Sequence, residues 1–189
     1  DGGFSFLSIA NNTDDGAFIN PADYDSEANI LYATGDNDQI ISYSDLEQGE
    51  GNATVNTLTL SLGGASVRSI LATSNTSNRL FIGTEDGKVY RIDDAHDSPQ
   101  LTELSQPTTG DVSSIDVGPT DDEILVTYSN YGVTSVWYSS DGGTNWLNKE
   151  GDLPDMPVWW GMFSPNGTNE VLLATEAGVW SVDDLSVDN

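Results

Sequence analysis

The sequence predicts an all-β chain of repeated four-stranded antiparallel blades, a β-propeller, on three observations. Four short β-branched runs, Ile30–Thr34, Leu80–Thr84, Ile124–Tyr128 and Val171–Thr175, begin 50, 44 and 47 residues apart. Each is preceded by a polar turn and followed by a tight turn and a second run of strand-forming residues. The outline of Ser139-Ser140-Asp141-Gly142-Gly143-Thr144-Asn145-Trp146 recurs at the N-terminus as Asp1-Gly2-Gly3-Phe4-Ser5-Phe6, 140 residues earlier, close to three such periods. A period in this range, with several short strands per unit, marks a propeller-type array.

The elements follow in chain order. Polar turns are expected at Ile19–Asp23, Ala72–Thr76, Val117–Asp121 and Phe163–Gly167, three of them carrying Pro, whose fixed φ starts a turn and whose missing N–H ends a ladder. After each β-branched run, Gly35–Asp38, Glu85–Gly87, Ser129–Gly132 and Glu176–Gly178 read as hairpin turns, clearest where Asp-Gly supplies residues tolerant of positive φ. Third strands are then expected at Gln39–Tyr43, Lys88–Ile92, Val133–Tyr138 and Val179–Val182. Inner strands are clearest at Val67–Leu71, Val112–Val117 and Val158–Phe163, and outer strands at Val55–Leu60, Gln100–Leu104 and Asn145–Asn148.

This grammar divides the chain into one propeller portion with repeats at 17–62, 63–107, 108–150 and 151–189, and residues 1–16 as the outer strand of a preceding blade. Phe6–Ile9 is that strand, and the last repeat holds three strands only. Either the N-terminal strand completes the last blade in a four-bladed ring, or the chain belongs to a larger propeller. The start at Asp1, in mid-motif, favours the larger propeller, with edge strands supplied by its remaining blades or by another polypeptide.

Thirty-one acidic residues stand against 5 basic ones, a formal net charge of −26. Such a surface repels phosphate backbones and anionic lipid, which argues against nucleic-acid and membrane-surface roles, and it makes folding sensitive to salt. No apolar run approaches the roughly 20 residues of a membrane span. The absence of Cys excludes disulfides and thiolate metal sites. Gly35-Asp36-Asn37-Asp38 and Thr120-Asp121-Asp122-Glu123 have the oxygen density for Ca²⁺, but lack the ligand spacing of an EF-hand loop and read as solvated turns.

Ser139, Asp141, Gly143 and Trp146 form a hairpin staple in which the carboxylate accepts backbone N–H bonds, the glycines take conformations closed to other residues and the indole packs between strands. The stretch resembles the Asp-box of BNR-repeat, sialidase-like propellers, although Asn145 stands where Thr is usual; in the N-terminal copy the matching residues are Asp1, Gly3 and Phe6. The blade grammar over nearly the full chain is similar to that of large secreted bacterial BNR-repeat proteins. The resemblance implies a peripheral, structural Asp-box and an extracellular or cell-surface protein.

Residue chemistry argues against an active site. A sialidase needs an arginine cluster, but Arg68, Arg79 and Arg91 are expected in three different blade positions. Paired carboxylates would make a glycoside hydrolase, and Asp116, on an inner strand, is the best placed of the acids. His96, the only histidine, reads as an exposed loop residue with no nucleophile motif nearby. Trp159 and Trp160 put one ring on each side of an inner strand, so one is expected between blades and either is a candidate glycan or protein platform. The expected function is a binding or structural module without a catalytic site or cofactor, the competing class being part of a glycoside hydrolase propeller.

Overall fold

The computed structural model describes residue 8 and residues 20–48, 51–166 and 169–187. These fold into four antiparallel sheets. The first holds β1 (Ala22–Asp25), β2 (Ile30–Thr34), β3 (Gln39–Ser44) and β4 (Thr54–Thr59); the second, β5 (Val67–Ala72), β6 (Leu80–Thr84), β7 (Val89–Asp93) and β8 (Gln100–Glu103). The third holds β9 (Val112–Val117), β10 (Ile124–Tyr128), β11 (Val136–Ser139) and β12 (Leu147–Asn148), and the fourth β13 (Val158–Phe163), β14 (Val171–Thr175) and β15 (Gly178–Val182). Strand order follows chain order in each sheet, and β1, β5, β9 and β13 lie side by side as the inner strands. This is the propeller architecture the periodicity predicts. Among the described residues the helical content is one 3₁₀ turn at Leu46–Gln48, and no helix is long and apolar enough to cross a membrane.

The core is divided into layers between blades. Ile30, Tyr32 and Ile40 of the first blade pack against Val67, Ile70, Leu80, Ile82 and Ile92 of the second. Phe81 and Val89 then meet Val112, Ile115, Ile124 and Val126, and Leu125, Val136 and Tyr138 meet Val158, Phe163, Val171 and Leu173. Second strands therefore bury both faces, Leu80 and Ile82 one way and Phe81 the other, which is why they read as continuous apolar runs and not as alternating ones. Gly83 sits where a Cβ would collide with the Val112 side chain of the next blade and lie 2.6 Å from Ser69 Oγ, so its absence of a side chain sets the blade spacing.

Several expectations need correction. Ala22 and Asp23 belong to β1 and not to a turn; the turn lies at residues 26–29, closed by Asp25 Oδ1, which accepts the N–H groups of Glu27 (3.0 Å) and Ala28 (2.9 Å). Pro21 is thus the residue ahead of the inner strand, matching Pro157, and not a partner of Pro119 and Pro165. Residues 133–135 remain in the turn before β11, and β12 has only Leu147 and Asn148 because the staple at Ser139–Trp146 occupies the start of the expected strand. The motif copy at Asp1, Gly3 and Phe6, and any ladder between Phe6–Ile9 and β15, lie outside the described residues; Ser8 is described, and its carbonyl accepts from Gly51 N at 2.9 Å.

Candidate functional site at the hairpin rim

One end of the array gathers the starts of the inner strands and the hairpin turns between second and third strands. A repeated backbone bond holds them together: Thr34 N to Pro21 O (3.0 Å), Glu85 N to Ser66 O (3.0 Å), Ser129 N to Asp111 O (3.2 Å) and Glu176 N to Pro157 O (3.2 Å). Just beyond this bond, three inner strands bulge at the same place. Arg68 is the extra residue between Val67 and Ser69, Ser113 that between Val112 and Ser114, and Trp159 that between Val158 and Trp160. Bulges re-aim side chains and concentrate near functional sites.

A polar chain runs along this rim across three blades. Ser66 Oγ donates to Asn37 Oδ1 (3.0 Å) and Ser66 N to Glu85 Oε1 (3.3 Å). Arg68 reaches Glu85 (3.0 Å) and Asp111 (3.5 Å), and Asp111 N donates to Asn130 Oδ1 (2.6 Å). A cavity of about 260 Å³ opens beside Arg68, lined by Pro21, Asp36, Asn37 and Ser66 among others. At the far end Tyr131 donates its hydroxyl to Glu176, whose carboxylate holds the phenol above its usual range, and Asp155 accepts from Gly132 N (2.7 Å). Trp159 is exposed two residues after Pro157, whose carbonyl accepts from Glu176 N, and its neighbour Val158 is paired with Thr175.

Nearer the axis, polar inner-strand side chains tie one blade to the next. Asp23 Oδ2 accepts from Ala72 N (2.8 Å), Ser114 Oγ from Gly161 N (2.8 Å) and Asp116 Oδ2 from Phe163 N (2.7 Å). Burial raises the Asp116 carboxyl above the ordinary carboxylate range; the Phe163 and Val117 N–H groups oppose that, and the charge of Asp23 adds to it. Asp116 is therefore on the inner strand where expected, with a second acid near enough to act on it.

The remaining candidates are dispersed. Arg79, in the turn before β6, pairs with Asp93 (2.6 Å) and Asp121 (2.7 Å), and Arg91 with Asp93 (3.0 Å), so the three arginines form no common cluster. His96 is half-buried, its Nδ1 shielded from solvent without a partner, and not exposed. Asp38 and Asp121, in the two acid-rich turns, accept from Leu62 N and Gly64 N (both 3.1 Å), and from Thr73, Thr76 and Arg79, respectively. Among the described residues no group of three or more His, Asp or Glu could hold a metal ion.

Ser139, Asp141, Gly143 and Trp146 lie at the periphery, between β11 and β12. Ser139 Oγ accepts from Gly143 N (2.9 Å), Asp141 Oδ1 accepts from Asn145 N (2.9 Å), and Gly142 and Gly143 take φ of +67° and +82°. Trp146 is half-buried, not fully enclosed by its own blade: its Nε1 donates to Ser105 O (2.5 Å) in the preceding linker, and the ring packs on the layer containing Leu104. Trp159 and Trp160 are both exposed, 54% and 56%; Trp159 is the bulge residue, and Trp160 lies on the side of the fourth blade that no further described sheet covers. Sequence reasoning missed the rim. Its trace was the offset shared by Val67-Arg68-Ser69, Val112-Ser113-Ser114 and Val158-Trp159-Trp160.

No family model matches the chain, and no curated protein matches it by sequence. Solved structures do. The chain is similar to YCF48 from Cyanidioschyzon merolae, with a TM-score of 0.65 and 11% identity over 87% of this chain and 50% of that one. It is similar also to a chain of the mitotic checkpoint complex, with a TM-score of 0.66 and 13% identity over 98% of this chain and 54% of that one. Both are β-propellers, and the chain spans about half the length of each. At these identities the likeness carries the fold and nothing finer.

Proposed function

We propose that the chain is a binding module of a secreted or cell-surface protein, an Asp-box propeller portion that recognises a glycan through the Trp159 end of the hairpin rim, without a cofactor. The observation that carries this reading is the exposed Trp159 at a β-bulge, two residues after Pro157, whose carbonyl accepts from Glu176 N, with Glu176 in turn bonded to Tyr131. An aromatic plane next to fixed carboxylates suits a sugar, which offers C–H groups to the ring and hydroxyls to the acceptors. The Asp-box assignment is supported by the carboxylate and glycine geometry at Ser139–Trp146, and its place on the periphery gives it a structural role. The experiment is a glycan-binding array read with the wild-type protein and with Trp159→Ala. Glycan signals lost in the variant support the proposal; no glycan signal, with binding of a surface protein instead, overturns the ligand class.

A second reading, a glycoside hydrolase portion, rests on Asp116 and Asp23. A carboxyl whose pKa burial raises, with the charge of a second acid acting on it, is the arrangement of a general acid and its partner. Both carboxylates already accept a backbone N–H of the next blade, which favours a structural use. Turnover of an aryl glycoside that disappears in Asp116→Asn would establish the enzyme.

A further inference from the structure

The linkers between blades differ in length and in the side chains they carry. Residues 60–66 join the first blade to the second, 104–111 the second to the third, and 149–157 the third to the fourth. Each of the longer linkers sends a side chain to the hairpin turn of the preceding blade: Gln106 Nε2 donates to Asp86 O at 2.8 Å, and Asp155 accepts from Gly132 N. In the shortest linker Gly63 and Gly64 take φ of +72° and +87° and have no side chain to send. Asp38 reaches from the hairpin to this linker's backbone instead, 2.9 Å from Gly64 N. The cavity of about 260 Å³ beside Arg68 opens between this hairpin and the start of β5, at a junction of two blades inside the array.

Its polar groups are only partly used. The Asp36 carboxylate has no hydrogen bond or ion pair with a described residue. Ser66 Oγ donates to Asn37 Oδ1, which leaves the Asn37 amide N–H groups for another acceptor. Arg68 spends Nη2 on Glu85 and Nε on Asp111, and its Nη1 donates to no described residue. Charge narrows what fits. An anion would meet Asp36, Glu85 and Asp111 around a single guanidinium, on a protein of net charge −26, and a cation drawn to Asp36 would meet Arg68. A neutral polyol avoids both costs, because a hydroxyl donates to the carboxylate and accepts from the guanidinium and the amide. The volume lies just below the roughly 300–1,000 Å³ of sites for drug-sized ligands, which suits one sugar unit.

We propose that this cavity is a second saccharide site, which takes one uncharged sugar unit with hydroxyls donating to Asp36 and accepting from Arg68 and Asn37. Val67 and Pro21 supply apolar wall for the C–H groups of the ring. The inference rests on the reading of the rim as a glycan surface, but on none of the residues at its Trp159 end.

The test is a heteronuclear NMR titration of isotope-labelled protein with the methyl glycosides of glucose, galactose, mannose, xylose and N-acetylglucosamine, and with glucuronate as the charged counterpart. Each is raised to about 100 mM, since a single sugar unit binds at the millimolar end of the affinity scale. The expected result, for at least one neutral glycoside, is a saturable shift of the Ser66 and Arg68 backbone amides and of the Asn37 side-chain amide. Asp36→Ala should weaken that binding at least about tenfold, the loss of a hydrogen bond to a charged group, and Trp159→Ala should leave it unchanged. Asp36 makes no bond that the fold needs, and the dispersion of the variant's spectrum checks that it folds. No shift at Ser66 and Arg68 with any neutral glycoside overturns the inference, and shifts at the Trp159 indole in the same titration would show that the proposed function survives it. Shifts at the cavity with Trp159 unmoved would uphold this site and count against the other. Cavity shifts that Asp36→Ala leaves intact, or tighter binding of glucuronate than of every neutral glycoside, also overturn the inference.

Discussion

Arg79 Nη1 lies 2.7 Å from Asp121 Oδ2, joining the turn before β6 in the second blade to the turn after β9 in the third. Thr73, Asn75 and Thr76 bond the same carboxylate, so four donors, three from one blade's turn and one from its arginine, converge on a single acid of the next. Burial pushes the Asp121 carboxyl up, but these hydrogen bonds outweigh it and hold the group below the ordinary carboxylate range. Asp121→Asn removes one of the two carboxylates that Arg79 pairs with, leaving Asp93, and should cost about 1.5–3 kcal/mol at pH 7, read from urea denaturation. A carboxyl depressed in the folded state stabilises above its unfolded pKa and loses that contribution as pH falls through the folded value. The gap between wild type and Asp121→Asn should therefore narrow below about pH 4.

Asp116 runs the other way. Its carboxyl is raised on folding, chiefly by burial, so its ionisation works against the fold above the raised folded value, and protonation relieves this as pH falls through it. Asp116→Asn keeps an oxygen for Phe163 N and removes the charge. It should be at least as stable as wild type at pH 7, with the advantage vanishing in acid, as a pH series of urea midpoints would show.

Gly83→Ala should destabilise by about 1–3 kcal/mol, since the added methyl meets Val112 of the third blade as well as Ser69. Combining it with Val112→Ala should recover part of the loss. Strict additivity of the two substitutions would show that the crowding is not shared between the blades.

Trp146→Phe retains most of the ring's packing and removes the bond to Ser105 O, for an expected loss of about 1 kcal/mol. Trp146→Ala should lose about 2–3 kcal/mol, less than a fully buried tryptophan, because the indole is only half-enclosed. Thermal denaturation of the two variants separates the hydrogen bond from the packing.

The blade grammar was legible because local signals carry it: β-branched runs buried on both faces, Asp-Gly hairpins and the staple at Asp141 all write themselves within a few residues. Pro21 misled for the converse reason. The same residue starts a turn at Pro119 and precedes an inner strand at Pro157, and only pairing across β1 and β2 tells the two apart. The rim was harder to see, since a bulge is a relation between two strands, and Arg68, Ser113 and Trp159 share no residue type. Burial of Trp159 and Trp160 was misjudged because simple alternation fails at a bulge and because a blade's outward face is covered only if another sheet lies against it.

The central claim is that recognition takes place at the Trp159 end of the rim, and fluorine NMR of protein labelled with 5-fluorotryptophan tests it most directly. The chain has 5 tryptophans, at positions 137, 146, 159, 160 and 180, and single substitutions assign their resonances. On titration with an oligosaccharide found on the array, the Trp159 resonance should shift and saturate, while those of Trp137 and Trp146 stay in place. Saturable shifts confined to Trp146, or binding with the Trp159 resonance unmoved, would contradict the account.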